Sequence, residues 1–244
     1  MTASPLLDVE GLAKRFGGVQ AVLDLSFQVR EGEILGIIGP NGSGKTTTFN
    51  LITGFYRPDR GRVRFGGRDI TAHRSYEVCG RGICRTFQIA KPFRELTVLR
   101  NVIMGTLLRH PDPAAAEARA IEILRIVGLE GRALMVAGSL TTIDQRRLEV
   151  ARALGTGPRL LLLDETMAGL TPTETEEAIR LIASLRSQGL TVVVVEHVMR
   201  AIMSLSDRIV VLDQGTKIAD GTPAEISSDP RVIQAYLGVE YRRA

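Results

Sequence analysis

Residues Gly39 to Thr46 read Gly-Pro-Asn-Gly-Ser-Gly-Lys-Thr, the G-x-x-x-x-G-K-[ST] spacing of a phosphate-binding loop. Gly39, Gly42 and Gly44 let the backbone curl so that its N–H groups converge on a polyphosphate. Pro40, Asn41, Ser43 and Thr47 complete the candidate phosphate-binding set. Lys45 is placed to reach the β- and γ-phosphates, and Thr46 to hold Mg²⁺. The loop needs a buried strand before it and a helix after it. The apolar run Ile34–Ile38 supplies the strand, and the stretch through Leu51 and Ile52, stopping at Gly54, suits a short helix. The positive end of that helix adds to the attraction for phosphate. The expected ligand is a nucleoside triphosphate.

Three further positions could complete a hydrolytic site. Leu160–Leu163 is an apolar run ending in Asp164-Glu165, which puts two acids at the carboxyl end of a parallel strand, beside the phosphate loop. Asp164 is the expected partner of Mg²⁺, and Glu165 could polarise an attacking water next to the γ-phosphate. His197 follows the apolar run Val192–Val195 and Glu196, so it also sits at a strand's carboxyl end, where a γ-phosphate contact is possible. The amide of Gln88 could ligate Mg²⁺ or orient water.

The elements that must position these groups alternate in type. Leu7–Phe16 and Ala21–Val29 read as strands joined across Gly17-Gly18, with further strands at Arg62–Phe65 and Ile83–Phe87. Helical periodicity covers Val98–Leu108 and Ala114–Val127, divided by His110-Pro111-Asp112-Pro113, and a third helix is expected over Asp144–Leu154. Strand–helix alternation then returns: Arg159–Leu163, a helix over Thr173–Ser187, Leu190–Val195 and a helix after His197. Runs this apolar suit parallel strands covered on both faces. A strand pair, Asp207–Asp213 and Thr216–Asp220, turns at Gln214-Gly215, and a helical tail runs to about Leu237. One domain over 1–244 is expected, with a core lobe (1–90 and 156–244) and a helical subdomain inserted at about 91–155.

Composition narrows the function. With 44% hydrophobic and 24% charged residues, 244 residues make a large core with an ordinary soluble surface. No apolar run approaches a membrane span, and Met1 to Pro5 lack the layout of a signal peptide. A net charge of +4 with 5% aromatics and no basic run laced with aromatics argues against nucleic acid. Arg57, Arg60, Arg62, Arg64 and Arg68 read as a solvated strand face, and Cys79 and Cys84 as two reduced thiols.

In order and spacing, Gly39–Thr46, Gln88, Asp164-Glu165 and His197 resemble the ATP-binding subunit of an ABC transporter over nearly the whole chain. The resemblance implies an α/β P-loop NTPase core with an N-terminal antiparallel β subdomain and an inserted α-helical subdomain. It implies ATP hydrolysis with Mg²⁺, a dimer of two such subunits, and transmembrane permease subunits sensed through the loop at Gln88. It also implies indirect work with a solute-binding protein and a peripheral place on the cytoplasmic face of the membrane. Phe16 fits the aromatic that stacks on adenine, and Ala168–Thr171 the dimer-contact loop. Lys14–Val19, Thr86–Gln88, Gln145–Leu154, Met167–Pro172, Glu196–Met199 and Ala235–Gly238 resemble the branched-chain amino-acid importer group, which also serves other small solutes.

One stretch departs from the family. The signature loop, near L-S-G-G-Q, acts on the ATP held by the partner subunit, and here it reads Leu140-Thr141-Thr142-Ile143-Asp144. Thr141 keeps a hydroxyl, while Ile143 puts a branched side chain where glycine is expected. Asp144 is expected to cap the following helix and to carry negative charge toward a phosphate. A heterodimer with a partner of intact signature loop is favoured over a homodimer. The alternative reading is an ATP-binding regulatory subunit with little turnover; the retained Glu165 argues against it. A smaller departure is Thr166, where the family has proline.

Overall fold

The structure is a computed structural model that describes residues 4–86 and 92–241, and side chains as far as residue 236. Gln88 and Phe87 lie outside the described residues. Two sheets organise the rest. Strands β1 (Leu7–Phe16), β2 (Val19–Val29), β4 (Arg60–Phe65) and β5 (Arg68–Asp69) form an antiparallel sheet in the order β2-β1-β4-β5. Strands β3 (Ile34–Ile38), β6 (Ile83–Arg85), β7 (Leu160–Asp164), β8 (Thr191–Val195), β9 (Arg208–Asp213) and β10 (Thr216–Gly221) form the second, in the order β10-β9-β3-β8-β7-β6. It is parallel from β9 to β6, and only β10 runs antiparallel.

The central strands are apolar at every position because both faces are covered. Leu35, Ile37, Leu160, Leu162, Val193, Val195, Val210 and Leu212 pack toward the antiparallel sheet and Phe49. Their chain neighbours Ile34, Ile38, Leu161, Leu163, Val192, Val194, Ile209 and Val211 join a second core with the helices. Those helices are α3 (Val98–Thr106), α4 (Pro113–Ile126), α5 (Thr142–Gly155), α6 (Pro172–Ser187) and α7 (Met199–Leu205). Helix α1 (Lys45–Ile52) follows the phosphate loop, and α8 (Pro223–Ser228) and α9 (Pro230–Tyr241) end the chain.

Several expected boundaries move. Strand β6 is described only to Arg85. A short β5 and helix α2 (Ser75–Gly80) were not anticipated: two residues and six residues leave too little pattern to read. The tail divides into α8 and α9, with Pro230 opening the second. The largest correction concerns α5. Its N-cap is Thr141, whose hydroxyl accepts from the Asp144 amide at 3.4 Å, so Thr142, Ile143 and Asp144 are its first turn rather than a loop. Asp144 therefore does not cap this helix by itself.

Candidate functional site

The register of the parallel sheet brings the chemistry together. Ile37 is paired with Val195, and Val195 with Asp164. These three residues are level across the sheet, so Gly39, His197 and Glu165 leave from one edge. Asp164 ends β7 and its charge acts on Lys45 of the phosphate loop, while β8, lying between β7 and β3, places His197 there.

The phosphate loop shows why its glycines are needed. Gly39, at φ 154°, lies so close to β9 that a Cβ would come 2.1 Å from the Leu212 carbonyl oxygen. Gly44, at φ 102°, is the N-cap of α1, and a Cβ there would meet the Ala21 oxygen at 2.4 Å. A tight hairpin turn at Gln214-Gly215 (φ 46° and 80°) braces the loop from outside, the Gly215 N–H donating to the Ser43 carbonyl at 3.1 Å. Tyr236 of α9 lies in hydrogen-bonding reach of the Gly39 backbone, and its burial pushes its pKa up to about 12. Lys45 is buried and donates to the Gly39 and Pro40 carbonyls at 2.7 and 3.0 Å. Burial lowers its pKa, while the charges of Glu165 and Asp164 oppose that shift. Thr46 and Asn41 are exposed on the loop.

Asp164 is 1% exposed. One of its oxygens accepts from Arg85 Nη2 at 2.9 Å, and its backbone N–H donates to the Thr86 hydroxyl at 3.2 Å. Burial raises its pKa, partly offset by Arg85. Among the described residues its other oxygen, Oδ1, has no hydrogen-bond partner, and neither has buried Ser43 Oγ. A buried carboxylate oxygen left unpaired is costly unless a cation satisfies it. The donor set of Asp164 and Thr46 therefore fits Mg²⁺ with a bound triphosphate.

Glu165 adopts φ 51°, a left-handed conformation that costs a non-glycine residue about 1–3 kcal/mol. It is held there from both sides: its N–H donates to Val195 O at 2.9 Å, and Arg146 of α5 donates to the Thr166 carbonyl at 2.6 Å. Its Oε1 is 2.7 Å from His197 Nε2. An ionised carboxylate only accepts, so His197 donates and fixes the rotamer of Glu165. Glu196 is buried below them. Burial pushes its pKa up to about 7, and its Oε1 accepts from the Met167 N–H at 2.7 Å and the Thr166 hydroxyl at 3.4 Å.

Phe16 lies apart from this edge, 40% exposed, packed edge-on against Tyr56 with 5.1 Å between ring centres. That exposure excludes a core role and leaves a face for stacking. The first turn of α5 is not the acidic end expected from its sequence. Asp144 is buried and ion-paired with Arg132, with Arg147 at 3.9 Å, and it accepts from the Thr141 hydroxyl at 2.6 Å. Its charge is met by two arginines of the same chain. Ile143 is half-buried and, with Val150, Leu163 and Leu170, lines a cavity of about 380 Å³ between α5 and α6.

Arg85, Thr86, Arg146, Glu196 and Tyr236 carry structural roles that sequence reasoning did not assign. Two of them had a visible signal: Arg85 is a cation ending an apolar strand, and Glu196 an acid ending another.

Comparison with known proteins agrees with this geometry. The ABC transporter family profile matches residues 22–168, and that of the branched-chain amino acid ATP-binding cassette transporter matches residues 216–242. The high-affinity branched-chain amino acid transport ATP-binding protein BraF of Pseudomonas aeruginosa is 43% identical, the match covering 96% of this chain and 98% of that protein. LivG of Escherichia coli, of the same description, is 41% identical over 97% of this chain and 99% of its own. A crystal structure of the ADP conformation of an ATP-binding cassette of an ABC transporter superposes with a TM-score of 0.88 at 32% identity, covering 97% of this chain and all of that one. With a phosphate loop, an acid pair and a histidine gathered at one sheet edge, and with relatives matched from end to end, the chain belongs to the ABC transporter family as one of its ATP-binding subunits.

Proposed function

We propose that this chain is the ATP-hydrolysing subunit of an importer for branched-chain or related amino acids, seated on the cytoplasmic face of the membrane against permease subunits. The observation that carries hydrolysis is the 2.7 Å contact of His197 with Glu165, level with the phosphate loop. The transport role rests on the names of the full-length relatives.

The roles follow from position. The amides of residues 39–47 and the Lys45 ammonium hold the phosphates of ATP, and Phe16 stacks on adenine. Thr46 and Asp164 hold Mg²⁺, with Gln88 assigned on resemblance alone; when bound, the ion withdraws charge from the phosphate oxygens. Glu165 accepts a proton from the attacking water, and His197 holds the carboxylate in place for it. Arg85 pairs with Asp164 and opposes the upward shift that burial gives its carboxyl. Thr141, Thr142, Ile143 and Asp144 form the helix end offered to the ATP of a second subunit. That subunit is different from this one and carries a glycine-bearing loop, so this chain's own site is the one completed for turnover.

The test is the ATPase rate of the purified chain and of Glu165→Gln, with dimer formation followed by light scattering, each alone and with a partner subunit bearing an intact signature loop. Turnover that needs the partner and falls by about 10²–10⁴-fold in Glu165→Gln is expected. Full activity in a homodimer would sink the heterodimer, and an active Glu165→Gln would sink the assignment of the base.

A further inference from the structure

Strands β7 and β8 end their pairing at Asp164 and Val195, just short of Glu165 and His197. The chain beyond them is still joined. The Glu165 N–H donates to the Val195 carbonyl at 2.9 Å, and His197 Nε2 meets Glu165 Oε1 at 2.7 Å. Between these two contacts stands Glu196, which is 2% exposed. Its Oε1 accepts from the Met167 N–H at 2.7 Å and from the Thr166 hydroxyl at 3.4 Å. The exit of β8, Val195-Glu196-His197, thus grips the exit of β7, Glu165-Thr166-Met167, from three successive residues.

Strain shows why that grip is needed. Glu165 is held at φ 51°, which a non-glycine residue keeps only where its surroundings over-determine it. The backbone turns immediately afterwards, the Ala168 N–H reaching back to the Glu165 carbonyl at 3.4 Å. Met167 is fully buried, so its N–H needs a partner within the protein, and the Glu196 carboxyl is that partner. Thr166 joins through its hydroxyl, a group that the proline of the family does not have.

We propose that Glu196 is a positioning residue for hydrolysis: its side chain pins the Thr166–Met167 turn and thereby sets the reach of the Glu165 carboxylate toward the attacking water. This role rests on the hydrolysis proposed for Glu165. Glu196 acts through the backbone that follows the base, and His197 through the side chain of the base. Base and histidine are therefore held by one tripeptide and move as one unit. Arg146 closes the clamp from α5, donating to the Thr166 carbonyl at 2.6 Å. With the Glu196 acceptor removed, the Met167 N–H is left buried and unpaired, and the turn relaxes away from the strained angles of Glu165. The role needs an acceptor rather than a charge. Among the described residues Glu196 Oε2 has no hydrogen-bond partner, which suits a neutral carboxyl or an amide better than a carboxylate. Glutamine can therefore stand in for Glu196, and an apolar side chain of like size cannot.

The experiment compares wild type, Glu196→Leu and Glu196→Gln in the full chain. ATPase kcat and the KM for MgATP are measured with the partner subunit that bears an intact signature loop. NMR of the histidine rings is recorded on the chain alone, with His73 and His110 as internal references. In wild type the His197 signal is expected to move when Glu165→Gln is introduced, which reports their contact without any turnover. Glu196→Leu is expected to lower kcat by about 10–10²-fold with KM held within about twofold, and to lose that response of His197. Glu196→Gln is expected to keep the response and to restore kcat to within about threefold of wild type. Glu196→Met gives the same reading where leucine fails to fold. An unchanged kcat in Glu196→Leu, a loss carried by KM instead, or an equal loss in Glu196→Gln overturns the positioning role. A wild-type chain that binds ATP but never turns it over with its partner overturns the hydrolysis itself, and the His197 response then decides whether Glu196 orients Glu165.

Discussion

The carboxyl edge of the parallel sheet and the first turn of α5 are the two surfaces proposed to handle ATP, and they tolerate change differently. At the sheet edge a cradle is built from backbone, and two glycines are fixed by space: a Cβ at Gly39 or Gly44 meets a carbonyl oxygen at 2.1 or 2.4 Å. At α5 the family's glycines have become Thr142 and Ile143 without losing the helix. The attraction a helix end offers to phosphate comes from its N–H groups and dipole, which survive changes of side chain. The acid that arrived with them is neutralised by Arg132 and Arg147. A site made by close packing is thus locked to its sequence, and a site made by a helix end is free to drift.

This contrast can be broken most strongly from the sheet edge. Glu196 is buried with a pKa raised to about 7 beside the negative charge of Glu165. A raised carboxyl favours the folded state while protonated, so its contribution is full below about pH 4.5 and is lost as pH rises through 7. Across that range the loss amounts to about 3 kcal/mol at 1.36 kcal/mol per unit. Denaturant unfolding between pH 5 and 8 is expected to show wild-type stability declining and Glu196→Gln flat by comparison. Parallel curves would mean that Glu196 does not titrate there.

At α5 the expected effects are smaller. Asp144→Ala removes the partner of Arg132 and the N3 acid of the first turn, for a loss of about 1–2 kcal/mol in urea unfolding. A loss no larger than the ~0.5 kcal/mol of an ordinary surface substitution would show that the acid is not neutralised as described. Ile143→Gly restores the family residue, costs up to about 1 kcal/mol of helix stability, and is expected to raise ATPase of the chain alone severalfold. No gain in rate would mean that the branched side chain, turned into the cavity with Val150 and Leu163, never obstructed the neighbour's site.

What could be read from sequence follows the same division. Five-residue strands buried on both faces announce themselves by composition, and Ile34–Ile38 was bounded correctly because Gly39 ends it. The acids and histidine after such strands were legible for the same reason. Arg146 was not, because its role depends on α5 crossing the loop after Glu165, a contact between segments that no local pattern encodes. Nor was Tyr236, which reaches Gly39 from the far end of the chain. Asp144 was misjudged because a capping threonine at position 141 shifts the helix start and turns the acid inward.

Strand β3, which carries the phosphate loop, lies between β8 and β9, and both are encoded far downstream. A ribosome delivers β3 first, so the nascent chain holds an apolar strand with both edges bare until Val195 has emerged and one edge bare until Asp213. Shielding that strand becomes a task for chaperones during synthesis. A product truncated before β9 contains the whole phosphate-binding motif but lacks Leu212, against which Gly39 packs, and Gly215, whose N–H holds the Ser43 carbonyl.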